Sequence, residues 1–313
     1  MKALYDVCAP AKLNLFLHIT GRRADGLHLL QSVFMLIDWC DTLHFELRTD
    51  GEISREDLGP TLPADDLIVR AARALQAVRS TDFGVRIGLQ KRIPIQAGMG
   101  GGSSDAASTL LALNRLWKLD LPLSRLAAIG LKLGADVPFF LHGHNAWVEG
   151  VGEKMTPITL PNARFVVVKP PSGLDTATIF SHPDLKRDTA TAIISGFAED
   201  PFAFGQNDLQ SVAQSLCPGV KQALAWLASC DLDGEVKGGV VSGMKGGVKG
   251  DVEGGGSGRL NGRMTGSGSA VFAHVDADTF VHNDLQNPPS GFQVRLCSNL
   301  QAHPLLGWAA RDG

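Results

Sequence analysis

Between Lys12 and Ile19 the chain alternates, with Leu13, Leu15, Leu17 and Ile19 on one side and Lys12, Asn14, Phe16 and His18 on the other. A repeat of two predicts a half-buried strand, with Lys12 and Asn14 on the face opposite the leucines. The turn GRRADG ends it, and the apolar run from Gln31 to Trp39 returns as a second strand, so a hairpin is predicted. The spacing then lengthens. Asp65 or Asp66 caps a helix LIVRAARALQAV, in which Leu67, Ile68, Ala71, Leu75 and Val78 share one side. VRIGLQKRI reads as a strand, and after it a helix is buried through Ala106, Leu110, Leu111, Leu113 and Trp117. Pro122 and Ser124 open the helix LSRLAAIGLKL, which Gly134 stops, and ADVPFFLHG leads into the strand-like NAWVEGVG.

Past Asn162, FVVVKP is continuously apolar, as a central strand requires, and helical patterns follow in NDLQSVAQSL and PGVKQALAWLAS. The order is mixed α and β, and 313 residues suffice for about two domains. Residues 234–258 break every pattern. Rich in glycine and poor in large apolar side chains, they cannot offset their ordering entropy by burial, so a mobile surface loop is expected there.

Charge and cysteine content narrow the partners. With 29 basic against 32 acidic residues, net −3, nothing offers a footprint for nucleic acid or an anionic membrane, so the partner expected is a small molecule. Five cysteines without any C-x-x-C spacing argue against a disulfide framework and a structural zinc site, and fit a reducing cytoplasm. The opening residues carry an apolar core of only about seven positions before turning basic, too short for a signal peptide or a membrane span. The His142-x-His144 pair lacks a third ligand in the sequence and is not read as a metal site.

The candidate chemistry lies in PIQAGMGGGSSDAASTLLALNRLW, residues 94–117. Gly98, Gly100, Gly101 and Gly102 let backbone come close to a ligand, and Ser103, Ser104 and Asp105 stand where a helix cap belongs. A ring of N–H donors at the positive end of a helix suits phosphate. No Lys follows the glycines, as a Walker A loop needs, and Ser103 breaks G-x-G-x-x-G.

This stretch resembles the P-x-x-x-G-L-G-G-G-S-S-x-A signature of the GHMP small-molecule kinases, with Met99 in place of Leu. PAKLNLFLHITGRRADGLHLLQSVF, residues 10–34, and LGADVPFFLHG, residues 133–143, resemble the branch of that family whose acceptor is 4-diphosphocytidyl-2-C-methyl-D-erythritol. TGSGSAVFAHVD, residues 265–276, is similar to the family's third motif.

The resemblance implies an α+β GHMP kinase fold. Residues 1–160 would form an ATP-binding domain like domain 2 of ribosomal protein S5. Residues 161–313 would form a ferredoxin-like domain, with a glycine-rich insertion at about 231–261. ATP would phosphorylate the acceptor's 2-hydroxyl, a step of the non-mevalonate route to isoprenoid precursors. Pro94, Ile95, Gln96, Ala97, Gly98, Met99, Gly100, Gly101, Gly102, Ser103 and Ser104 match the family's ATP loop. Lys12 and Asp136 match its catalytic pair, and Asn14, His28 and Phe180 its substrate contacts. Leu27 stands where the family commonly has Tyr. Mg²⁺ is expected as the phosphates' counter-ion, its ligands left open. Taken alone, Asp136 reads as a helix cap and Lys12 as a solvated strand residue. A mevalonate- or homoserine-type kinase and a non-catalytic nucleotide-binding module are the alternatives; DGLHLLQSVF and LGADVPFF speak against the first, Lys12 and Asp136 against the second.

Overall fold

A computed structural model describes residues 1–79, 82–230, 260–275, 285 and 287–310. The glycine-rich tract 234–258 and the proposed insertion around it lie outside the described residues, Leu260 and Asn261 excepted.

The predicted hairpin forms from β1 (Ala3–Arg22) and β2 (His28–Arg48), paired antiparallel, both longer than the apolar pattern marks. Their length comes from changing partners. Beside them stand β3 (Ile53–Asp57), β4 (Gly84–Gln90), β5 (Ala146–Gly150) and β6 (Lys154–Pro157), in the order β3-β4-β2-β5-β6, with β1 pairing β2 off that path. The first part of β2 pairs β5 and the last part β4, so residues beyond Trp39 gain a ladder that their mixed composition does not announce.

Four helices cover this sheet: α1 (Leu67–Arg79), α2 (Gly101–Leu116), α3 (Leu123–Leu133) and α4 (Val137–His142). Asp66 is the cap of α1, its Oδ1 accepting from the Val69 N–H at 3.0 Å. Ile68, Ala71 and Leu75 enter the core as the spacing predicts, while Val78, in the last turn, is exposed. α2 is buried nearly all round, packed against α1, α3, α4 and β1.

A second sheet holds β7 (Arg164–Lys169), β8 (Arg263–Met264), β9 (Val271–Val275) and β10 (Gln293–Ser298), all antiparallel in the order β10-β7-β9-β8. Strand β7 explains its own unbroken apolar run. Phe165 and Val167 face one core with Leu13 and Leu15 of β1, and Val166 and Val168 face another with α7 (Gln210–Leu216) and α8 (Pro218–Ser229). Two short helices, α5 (Thr176–Ser181) and α6 (Ile194–Glu199), precede these.

The half-buried reading of β1 is corrected. Lys12, Asn14, Phe16 and His18 are buried along with the leucines, because the strand is covered from both sides. Of its polar residues, Lys12 and Asn14 border a cleft, and, being buried, each needs a partner. Among the described residues, no helix is long and apolar enough to cross a membrane.

Candidate active site

A cleft of about 530 Å³ is lined by Lys12 and Asn14 of β1, the loop Pro94–Gly100, the first turn of α2, Asp136, Phe180 and the loop Gly266–Gly268. Pro94 to Ser103 all border it; Ser104 lies beneath, fully buried, its hydroxyl without a partner among the described residues.

The helix start differs from the expected one. The cap of α2 is Gly100, in the left-handed region at φ 69°, and no side chain caps the helix. Ser103, Ser104 and Asp105 fall inside the first turns, so the leading N–H groups of α2 carry no side-chain acceptor and open on the cleft. Asp105 does not cap because it is engaged elsewhere. Its Oδ2 accepts from Lys91 Nζ at 2.7 Å, and Lys91 also donates to Asp41. Asp41 in turn accepts from the N–H groups of Arg92 and Ile93, the latter at 2.8 Å, and so fixes the entry to the glycine loop. Burial pushes the Asp105 carboxyl up to about 8 against the pull of Lys91, while the two carboxylates outweigh burial and raise Lys91.

The glycines answer to protein as well as to ligand. A Cβ at Gly98, φ +73°, would stand 2.2 Å from the Thr265 carbonyl oxygen, and one at Gly266 2.6 Å from that of Gly98. The two loops are stitched by backbone: Ala270 N–H donates to Ala97 O at 3.1 Å and Ser269 N–H to Gln96 O at 3.2 Å. Gly102 differs, with only Leu67 at 3.5 Å from such a Cβ.

Lys12 Nζ approaches Asp136 Oδ2 at 3.8 Å, and the lysine side chain is 5% exposed against 34% for the aspartate. Asp136 occupies the cap position of α4 but makes no side-chain cap bond, which leaves its carboxylate for the cleft. Burial lowers the Lys12 pKa, and Asp136 opposes that shift. Lys12 also sits 4.8 Å above the Phe34 ring and donates to Asn14 Oδ1, and its backbone N–H bonds the Met99 carbonyl at 2.9 Å. Asn14 passes the network on, its Nδ2 donating to Ser32 Oγ at 2.8 Å and its N–H to Thr265 Oγ1 at 2.9 Å.

Phe180 borders the cleft at one end, and His28 packs against it with ring centroids 5.2 Å apart and planes at 43°. Leu27 is half exposed at the turn between β1 and β2. Of the residues picked out in the sequence, Lys12, Asn14, Pro94 to Ser103, Asp136 and Phe180 line one cleft, Ser104 lies beneath it, and His28 is linked to it through its packing on Phe180; Asp41, Lys91, Asn207 and Arg187 were missed. Asn207 donates to the carbonyls of Met264 and Gly266, both at 2.8 Å, and Arg187 donates to His28. No spacing marks these four, because each acts across a tertiary contact. Among the described residues, no group of three or more His, Cys, Asp or Glu side chains is placed to hold a metal ion, His142 and His144 included.

Residues 66–144 match the GHMP kinases N terminal domain. The 4-diphosphocytidyl-2-C-methyl-D-erythritol kinase of Albidiferax ferrireducens is 65% identical over 312 residues, 100% of this chain and 98% of that protein. The protein of the same name from Variovorax paradoxus is 59% identical, over 99% of this chain and all of its own. A solved 4-(cytidine 5'-diphospho)-2C-methyl-D-erythritol kinase superposes with TM-score 0.69 at 30% identity, covering 93% of this chain and 98% of its own. A solved mevalonate kinase, at TM-score 0.64 and 14% identity over 95% and 99%, shares the fold. Full-length identity at this level carries more than a shared fold, and the chain belongs to the 4-diphosphocytidyl-2-C-methyl-D-erythritol kinases of the GHMP family.

Proposed function

We propose that the chain moves the γ-phosphate of ATP to the 2-hydroxyl of 4-diphosphocytidyl-2-C-methyl-D-erythritol, with Asp136 as base and Lys12 as its buried partner. The observation that carries this is the 3.8 Å approach of Lys12 and Asp136 at a cleft that also receives the uncapped start of α2. The N–H groups there hold the triphosphate, and the glycine loop lets it come close. Asp136, the more exposed partner, accepts the hydroxyl proton as the phosphoryl group arrives; Lys12 places a positive charge 3.8 Å from it, and Asn14 fixes where the ammonium points. His28 and Phe180 hold the cytosine. We assign residues 1–160 to the nucleotide-binding domain and 161–313 to the second domain.

Mg²⁺ supplies charge neutralisation to the phosphate oxygens when bound. With Asp136 reserved for the hydroxyl proton, the Ser103 hydroxyl at the start of α2 would be a protein oxygen bordering the cleft that could hold it. A cation with few protein ligands would keep waters and substrate oxygens in its shell. A cytoplasmic setting is supported by five free cysteines.

The test is a coupled assay of ADP release. ADP should appear only with the diphosphocytidyl acceptor, and neither mevalonate nor homoserine should replace it. ADP release that no acceptor stimulates would overturn the assignment.

A further inference from the structure

The Arg187 guanidinium makes contacts that the phosphoryl-transfer chemistry does not require. Its Nε–H donates to His28 Nε2 at 3.0 Å. Its Nη1 donates to the carbonyls of Leu185 at 2.9 Å and Pro183 at 3.5 Å, and its Nη2 to those of His182 at 2.8 Å and Phe180 at 3.2 Å. All five donors are engaged, and none of the partners is a carboxylate. One side chain therefore ties the segment that carries Phe180 to the imidazole that packs on it.

The bond to His28 also sets a proton. Arginine can only donate, so Nε2 must offer its lone pair and the ring's single proton must sit on Nδ1. An imidazolium, with N–H on both nitrogens, would face the guanidinium donor to donor. Burial and the charges of Arg187 and Arg22 lower the His28 pKa, in keeping with a neutral ring. Among the described residues nothing bonds Nδ1, so its N–H is the group the ring has left to give.

We propose that Arg187 is a positioning and specificity residue: by holding His28 in the Nδ1–H form it makes the site accept a cytosine edge and reject a uracil. O2 is an acceptor in both bases, but only cytosine presents an acceptor at N3, which a fixed donor satisfies. Uracil carries a proton at N3, which a fixed donor opposes, whereas a ring free to change tautomer could accept it. A site built around a required hydrogen bond discriminates strongly because the wrong partner leaves a buried group unpaired. The proposal rests on the reading of His28 and Phe180 as the base-holding pair.

Nitrogen NMR of the full chain with labelled histidine tests the tautomer directly. In the unaltered protein, His28 should show a protonated Nδ1 and an unprotonated, hydrogen-bonded Nε2 at neutral pH; the reverse form, or an imidazolium, would overturn the proposal. In Arg187→Met both tautomers should be populated. The KM for the diphosphocytidyl acceptor should rise about 10-fold with kcat and the KM for ATP nearly unaltered, and preference over the diphosphouridyl counterpart should fall by a similar factor. If the tautomers mix but both constants stay put, the base is not read by His28 and the site assignment beneath the proposal fails. If the tautomer does not respond, the Arg187 role itself fails. Should Arg187→Met not fold, Arg187→Lys serves, since it keeps the charge with a single flexible donor and should show the same changes more weakly; a wild-type preference for cytosine in that variant overturns the proposal.

Discussion

For the roles proposed for Lys12 and Asp136 the unequal burial matters, because the more exposed of the two is the one a substrate hydroxyl would reach. Asp136→Asn keeps the shape and removes the base, so kcat should fall by about 10²- to 10⁴-fold while ATP binding, measured by titration, changes little. Lys12→Met should also lose rate, and the double variant should fall well short of the product of the two losses, since both act on one proton. Steady-state kinetics of the four proteins checks this, and fully multiplicative losses would separate the pair. Leu27 makes a second case. Its half-exposed side chain beside His28 offers no flat face, and stacking a base on an aromatic ring is worth roughly 1–3 kcal/mol. Leu27→Tyr should therefore lower the KM for the cytidyl acceptor several-fold and leave the KM for ATP alone. An unmoved acceptor KM would mean that residue 27 points away from the base. Neither Lys12 nor Asp136 is legible as chemistry by itself. A strand lysine and an aspartate before a short helix look ordinary until motifs place them together, because the contact between them crosses the fold.

Within the elements, the glycine loop and α2 separate two causes that the sequence merges. Glycine there was read as room for a ligand, yet Gly98 is also required where two backbones meet. Gly98→Ala should cost both stability and nucleotide affinity, since its Cβ meets a carbonyl oxygen that cannot move aside and its φ is positive. Gly102→Ala, in a helical turn with only the end of Leu67 nearby, should leave thermal stability equal or slightly raised. Any loss of ATP affinity in that variant would then report ligand approach alone. Melting curves with and without ATP distinguish the two, and equal destabilisation by both substitutions would refute the distinction. The helices and central strands were legible, because α1, α3, α7, α8 and β7 each bury a periodic or continuous apolar pattern. The true start of α2 was not, because Asp105 has the right chemistry for a cap but is claimed by Lys91, a partner that no local pattern reveals.

Over the whole molecule, the Asp41–Lys91–Asp105 cluster couples acidity to stability. Asp105 is raised by burial to about 8, so between the ordinary carboxylate range and that value the folded chain holds a proton that the unfolded chain releases. Folding stability contributed by this group is therefore full at low pH and is lost as pH rises through that window. Asp105→Asn keeps the shape without the charge, and its melting temperature should decline less than that of the unaltered chain between about pH 5 and about pH 8.5. Parallel slopes would show that Asp105 is already ionised in the fold. The mixed α and β order was legible from the patterns, and the two-part kinase fold from the motif resemblance. How the sheets meet was not, since β1 looks half exposed until both coverings are present. That meeting has a consequence in time. The wall opposite the glycine loop comes from Thr265 to Ala270, and the bond from Asn14 to Thr265 spans 251 residues. Contacts of such sequence separation form late, because long loops must close first. A chain emerging from the ribosome can complete its first sheet early, but it holds only part of the cleft proposed to bind the nucleotide until residues 265–270 have been made. Capacity to grip ATP would thus be gained only once residues 265–270 have been made.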